Sequence, residues 1–108
     1  MTDNFINQKL KFIIKKGAIE WQKHSLQRMI ERGISRIEVI DALLKGKRIE
    51  DYLSDQPFPS SLFLYLRQDK SPIHVVAAYD FINRNIFIIT VYVPDLDHFE
   101  SDFFTRRK

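Results

Sequence analysis

The chain has 108 residues, room for one compact domain with one sizeable core but not for two, so a single domain over residues 1–108 is expected. Hydrophobic residues make up 44% and charged residues 29%, a globular balance that excludes a disordered or low-complexity chain. There is no cysteine, which removes disulfides, thiol nucleophiles and cysteine-held zinc. The longest apolar run, Ile86 to Val93, is too short to cross a bilayer. Asp3 and the polar interruption Asn7-Gln8-Lys9 speak against a signal peptide, so a cytoplasmic protein with no membrane partner is expected. Residues 1–48 carry eleven Lys or Arg against five Asp or Glu, a balance of +6, and residues 49–108 carry six against nine, a balance of −3. A basic first half suits a polyanion such as nucleic acid, although a merely solvated helix face has the same composition.

In chain order, Ile6, Leu10, Ile13 and Ile14 form one apolar stripe of a first helix over residues 4–16, with Lys15 and Lys16 in its last turn and Gly17 to close it. A second helix runs from about Lys23 to Arg32 and stops at Gly33, burying Leu26, Met29 and Ile30. A third begins at a capping box, Ser35 with Glu38, stapled by Ile34 and Val39. Its buried face reads as Ile37, Ile40, Leu43 and Leu44, and Gly46 ends it.

The period then changes from helical to alternating. Leu62 to Arg67, Ile73 to Asp80 and Ile86 to Val93 are short aromatic and β-branched runs, with Arg48 to Leu53 as a weaker edge strand. Pro57 and Pro59 mark a loop, and Asn83-Arg84-Asn85 the turn of a hairpin. The terminal stretch from Asp97 either makes a helical turn or lies over the sheet through Phe99, Phe103 and Phe104. Helices followed by strands predict an α+β fold, two or three helices packed on a three- to four-stranded antiparallel sheet.

Two groups of residues offer chemistry. At 100° per residue, His24, Arg28, Glu31 and Arg32 share an arc of about 100° on the second helix, and packing does not require them there. A guanidinium fork grips phosphate oxygens, and an imidazole moves protons near neutral pH. On the hairpin, His74 shares a strand face with Val76 and Ala78. An odd-numbered turn, such as Ile82 to Arg84, sets His74 opposite Tyr92 and Val76 opposite Thr90, whereas an even one sets His74 beside a valine. Three scattered histidines with no His-x-x-x-His pair do not suggest a metal site.

The run His24-Ser25-Leu26-Gln27-Arg28-Met29-Ile30-Glu31-Arg32-Gly33-Ile34-Ser35 resembles the H-A-x-E-R-M-x-E-R-G-I-S signature of a small bacterial family, the DUF4258 type. The likeness continues through Gly46 to Tyr52, the Pro57, Pro59, Ser60 loop, Pro72-Ile73-His74-Val75-Val76, Ile88-Ile89-Thr90-Val91-Tyr92, Pro94-Asp95 and the closing Arg106-Arg107. Ser25 and Gln27 stand where the family usually has Ala and Glu, and Phe99 where a Trp is common. Members resemble, at a distance, the RelE, MqsR and BrnT ribonuclease toxins and are often encoded beside a YgiT-type zinc-finger antitoxin.

The resemblance therefore implies a RelE-like fold and the toxin of a two-gene toxin–antitoxin pair, cleaving RNA without a metal or other cofactor. His24 or His74 would act as base or acid, with Arg28, Arg32 and Arg106 stabilising charge, Tyr92 as acid or orienting group, and Lys23 and Arg107 aiding RNA binding. Two alternatives stand beside it. One is a non-catalytic helix-turn-helix module formed by the second and third helices, although Glu38 and Asp41 would repel phosphates there. The other is a toxin that inhibits a protein target.

Overall fold

A computed structural model describes residues 3–16, 18–97, 99–103 and 105, without the side chains of residues 3–6. Gly17, Phe104, Arg106 and Arg107 lie outside the described residues. The elements are α1 (Asp3–Lys15), β1 (Ile19–Trp21), α2 (Lys23–Glu31), α3 (Arg36–Lys45), β2 (Lys47–Tyr52), β3 (Ser60–Leu66), β4 (Pro72–Asp80) and β5 (Asn85–Tyr92). The α+β class matches the expectation, but the sheet must be corrected. It has five strands in the order β1-β5-β4-β3-β2, and β1 runs parallel to β5. The expected three- to four-stranded antiparallel sheet missed β1. Three residues, Ile-Glu-Trp, are too few to display a period of two, and a parallel partner far along the chain leaves no turn signal.

One sheet face carries the main core. Leu10 and Ile13 of α1 and Val39, Ala42 and Leu43 of α3 pack with Phe63, Ile73, Val75, Ala77, Tyr79, Ile86, Ile88 and Val91. The Ser35–Glu38 capping box forms as expected, each side chain bonded to the other residue's backbone N–H. The buried side of α3 is Val39, Ala42 and Leu43, with Ile40 and Leu44 partly buried against the core; of the expected face only Ile37 is turned out, 72% exposed. At Gly46 a Cβ would collide with the carbonyl oxygens of Ala42 and Leu64, so this helix-to-strand corner admits only glycine. Among the described residues no helix is long and apolar enough to cross a membrane.

The β4–β5 hairpin decides what the second sheet face carries. Asp80 pairs with Asn85, so the turn is the four residues Phe81–Arg84, an even number. A bulge at Ile89 then shifts the register, and His74 pairs with Tyr92 and Val76 with Thr90. Ile86 and Ile88 point into the helix-side core, while Thr90 and Tyr92 point to the opposite face. There they share the surface with His74 and with the Phe58–Phe87 stack, whose centroids are 5.4 Å apart.

Candidate functional site

Helix α2 is placed by its two ends. It begins immediately after β1, at Gln22, whose side chain makes no cap. It ends in a Schellman motif, with Gly33 N–H donating to Ile30 O and Ile34 N–H to Met29 O at 2.9 Å. Gly33 takes φ 66°, the left-handed conformation this ending needs. Met29 and Ile34, both buried in the core, supply the accompanying apolar contact.

The face that α2 turns to the sheet is polar as well as apolar. β1 covers the edge of β5 only from Ile86 to Ile88, and α2 takes over beyond it. Ser25 Oγ lies 3.1 Å from the Ile88 carbonyl and 2.9 Å from that of Ile89, and Arg32 Nη1 donates to the Val91 carbonyl at 2.6 Å. Ser25 and Arg32 are seven residues apart, almost two full turns, so both point along the same line. Edge carbonyls at and beyond the end of β1 are thus satisfied by side chains. The inward side of α2 consequently centres on Ser25 and Met29, rotated by roughly 70° from the face that the apolar pattern suggests. Ile30, expected inside, is 81% exposed.

This rotation separates the four residues of the polar arc. His24, Arg28 and Arg32 are all exposed, but Arg32 is tied to β5, whereas the side chains of His24 and Arg28 make no hydrogen bond or ion pair among the described residues. Relative to Ser25, Met29 lies about 40° toward the helix-side core, and Arg28 and His24 lie about 60° and 100° the other way. They turn toward the sheet face that carries Thr90 and Tyr92. Lys23, one residue earlier, is also exposed.

His74 is fully buried and pinned on both ring nitrogens. Nε2 is 2.6 Å from the Phe103 carbonyl, which can only accept, so Nε2 carries a proton. With the ring neutral, Nδ1 accepts from the Tyr92 hydroxyl 3.1 Å away. Phe99 packs edge-on against the imidazole, with centroids 4.6 Å apart, so Phe99 and the Phe103 carbonyl cover His74 on this sheet face. His74 therefore contacts Tyr92 rather than solvent, and the half-exposed phenol is the member of the pair that reaches the surface. Arg106 and Arg107 lie outside the described residues.

A further polar network, which the strand pattern concealed, lies on the helix-side face toward the other sheet edge. Asp51 accepts from Arg48 and from Ser61 Oγ, the latter at 2.6 Å, and Ser61 Oγ is 2.9 Å from the Tyr79 hydroxyl. Burial pushes the Asp51 carboxyl up, but the Arg48 and Ser61 hydrogen bonds and the Arg48 charge outweigh it and hold the group below the usual range. Burial raises the Tyr79 phenol. The only sequence signal was the charged pair Glu50-Asp51 inside a strand. The network ends at Tyr79, which pairs with Ile86 near the turn end of β5 and faces the helix-side core, whereas Tyr92 lies at the other end of β5 on the opposite face, so this network does not join the α2 site.

The sequence pattern of the family described as domain of unknown function (DUF4258) matches residues 21–93, which include α2, the bulged hairpin and the His74–Tyr92 pair. The chain belongs to that family. No curated protein and no solved structure matches it. Among the described residues no three His, Asp or Glu side chains gather as a metal site would require.

Proposed function

We propose that this chain is the toxin of a toxin–antitoxin pair and cleaves RNA in the cytoplasm through the α2 flank and Tyr92. One observation carries the reading. The side chains of His24 and Arg28 stand exposed and unpartnered among the described residues, on the side of α2 turned away from the helix-side core, while Ser25 and Met29 of the same helix are buried and Arg32, at its end, is tied to Val91 through one nitrogen. An imidazole, a free guanidinium and a phenol held by a buried histidine are the groups that transesterification of RNA requires.

In that reaction a base removes the proton of the ribose 2′-hydroxyl, and the 2′-oxygen forms a bond to phosphorus. The bond from phosphorus to the 5′-oxygen breaks, and an acid protonates the departing oxygen. His24 and Tyr92 divide the two proton transfers, and Arg28 stabilises the charge on the phosphorane. Arg32, held by Val91, presents its remaining guanidinium nitrogens to the same phosphate. His74 is a positioning residue, accepting from Tyr92 and so orienting the phenol. The products are a 2′,3′-cyclic phosphate and a 5′-hydroxyl.

The expected partner is an antitoxin encoded beside it, of the YgiT zinc-finger type, that masks this cationic flank. Against groove reading by α3, Glu38 and Asp41 line one cleft together with Asp69. Incubating the purified chain with RNA and mapping the ends tests the proposal. Cyclic-phosphate ends that vanish in Arg28→Ala are expected. No cleavage by a folded wild-type chain, free or on ribosomes, would overturn it.

A further inference from the structure

At the far end of β5 from Tyr92, a cleft of about 330 Å³ opens between α1 and the β4–β5 turn, lined by Gln8, Lys9, Phe12, Ile13, Phe81 and Arg84. That volume falls at the lower end of the range for small-ligand sites. None of the lining residues is acidic and two are cations. Phe12 is 44% exposed in an otherwise amphipathic helix, and the Arg84 guanidinium and the Lys16 ammonium lie 5.2 and 5.4 Å from its ring centroid.

The turn that presents Arg84 is rigidly held. Asp80 accepts from the backbone N–H groups of Ile82 and Asn83, at 3.0 and 3.1 Å, and from the Asn83 amide at 2.7 Å. Arg84 itself has φ 59°, a left-handed conformation that Gly or Asn adopts far more readily. Asparagines flank it on both sides, yet the strained position holds the arginine. Hairpin geometry favours a different residue there, and the fold keeps a cation over an exposed aromatic ring.

We propose that this cleft is a second RNA foothold that takes one nucleotide of a single strand, the base against the Phe12–Arg84 pair and the phosphate on Arg84 and Lys9. Aromatic rings and guanidinium planes both stack bases, and the cations track the backbone. The inference deepens the RNA-cleaving reading and takes its choice of polyanion from it. From Asn85 to Tyr92 the strand spans about 23 Å. That is about seven stacked nucleotides at 3.4 Å each, so the cleft is a subsite remote from the cleavage point.

The test is fluorescence anisotropy of a labelled single-stranded RNA, with Arg28→Ala as the background so that the probe stays intact. Arg84→Asn suits the left-handed backbone and removes the guanidinium with most of its stem. It should weaken binding about fivefold or more and lower the slope of log affinity against log salt by about one, with no loss of thermal stability. Phe12→Leu should weaken binding of the RNA but not of an abasic strand of equal length.

Wild-type affinity and salt slope in Arg84→Asn would overturn the subsite, whether or not the chain cleaves RNA. Equal loss for the abasic strand in Phe12→Leu would overturn base recognition. Arg84-dependent binding by a chain that never cleaves would uphold the subsite and defeat the cleavage reading.

Discussion

His74 and Tyr92 face one another across β4 and β5, with Nδ1 3.1 Å from the phenol oxygen, although the turn between their strands has an even number of residues. The bulge at Ile89 makes this pairing. Without it the four-residue turn would set His74 beside Val91 and send Tyr92 into the helix-side core. The bulge thus builds the pair and also turns Thr90 and Tyr92 toward the flank of α2 that bears Arg28.

His74→Ala should destabilise the chain by about 2–4 kcal/mol, because it opens a cavity and strands the Phe103 carbonyl. Tyr92→Phe removes the hydroxyl that His74 accepts from and should cost about 1 kcal/mol. Urea titration measures both. Cleavage should fall sharply in Tyr92→Phe while the fold persists, and full activity in that variant would remove the phenol from the mechanism.

Arg28 and Arg32, one turn apart, should differ in what they contribute to stability. Arg28→Ala should leave stability within about 0.5 kcal/mol of wild type, since its side chain is exposed and makes no hydrogen bond or ion pair among the described residues. Its cleavage rate should fall roughly a hundredfold or more, the usual cost of losing a charge-stabilising group. Arg32→Ala leaves the Val91 carbonyl without its charged donor and should cost about 1–2 kcal/mol. Melting curves beside single-turnover rates separate the two, and an Arg28→Ala variant that melts early but cleaves normally would reverse the assignment.

Ser25→Ala should be tolerated at about 1 kcal/mol, because the helix can approach the strand equally closely without the hydroxyl. Ser25→Leu should be far worse. The added atoms would be forced between α2 and β5, and overpacking of that kind costs about 1–3 kcal/mol or more. Hydrogen exchange at the β5 amides should report the difference, and equal protection in both variants would contradict the close α2–β5 contact.

Stability should decline at both ends of the pH range. Asp51 and Asp80 lie below the usual carboxylate value of 3.8, Asp80 because the Asn83 backbone N–H and side-chain amide bond its charged form. Their contribution is complete above pH 3.8 and is lost as the pH falls through their depressed folded values. Tyr79 is raised, chiefly by burial, so its contribution is present below pH 10.0 and lost as the pH rises through the higher folded value. Urea midpoints across the range should show both limbs. Asp51→Asn should flatten the acid limb and Tyr79→Phe the alkaline one, and limbs unchanged in these variants would refute the assignment.

Much of the architecture is written locally. The Ser35–Glu38 box, the Gly33 and Gly46 stops and the three long strands are encoded within a few residues of where they act, so periodicity and capping chemistry reveal them. The same holds for the exposed His24 and Arg28, which no core position demanded. What required the tertiary structure is everything that depends on an edge or a register. β1 has only three residues and a distant parallel partner. The orientation of α2 follows the bare carbonyls of β5, which draw Ser25 and Arg32 inward and leave Ile30 in solvent. The His74–Tyr92 contact depends on one extra residue at Ile89, and the cover over His74 on a segment that returns from beyond β5. Local patterns report what a residue prefers, whereas edges and bulges are settled by which backbone groups remain unpaired once the strands have met.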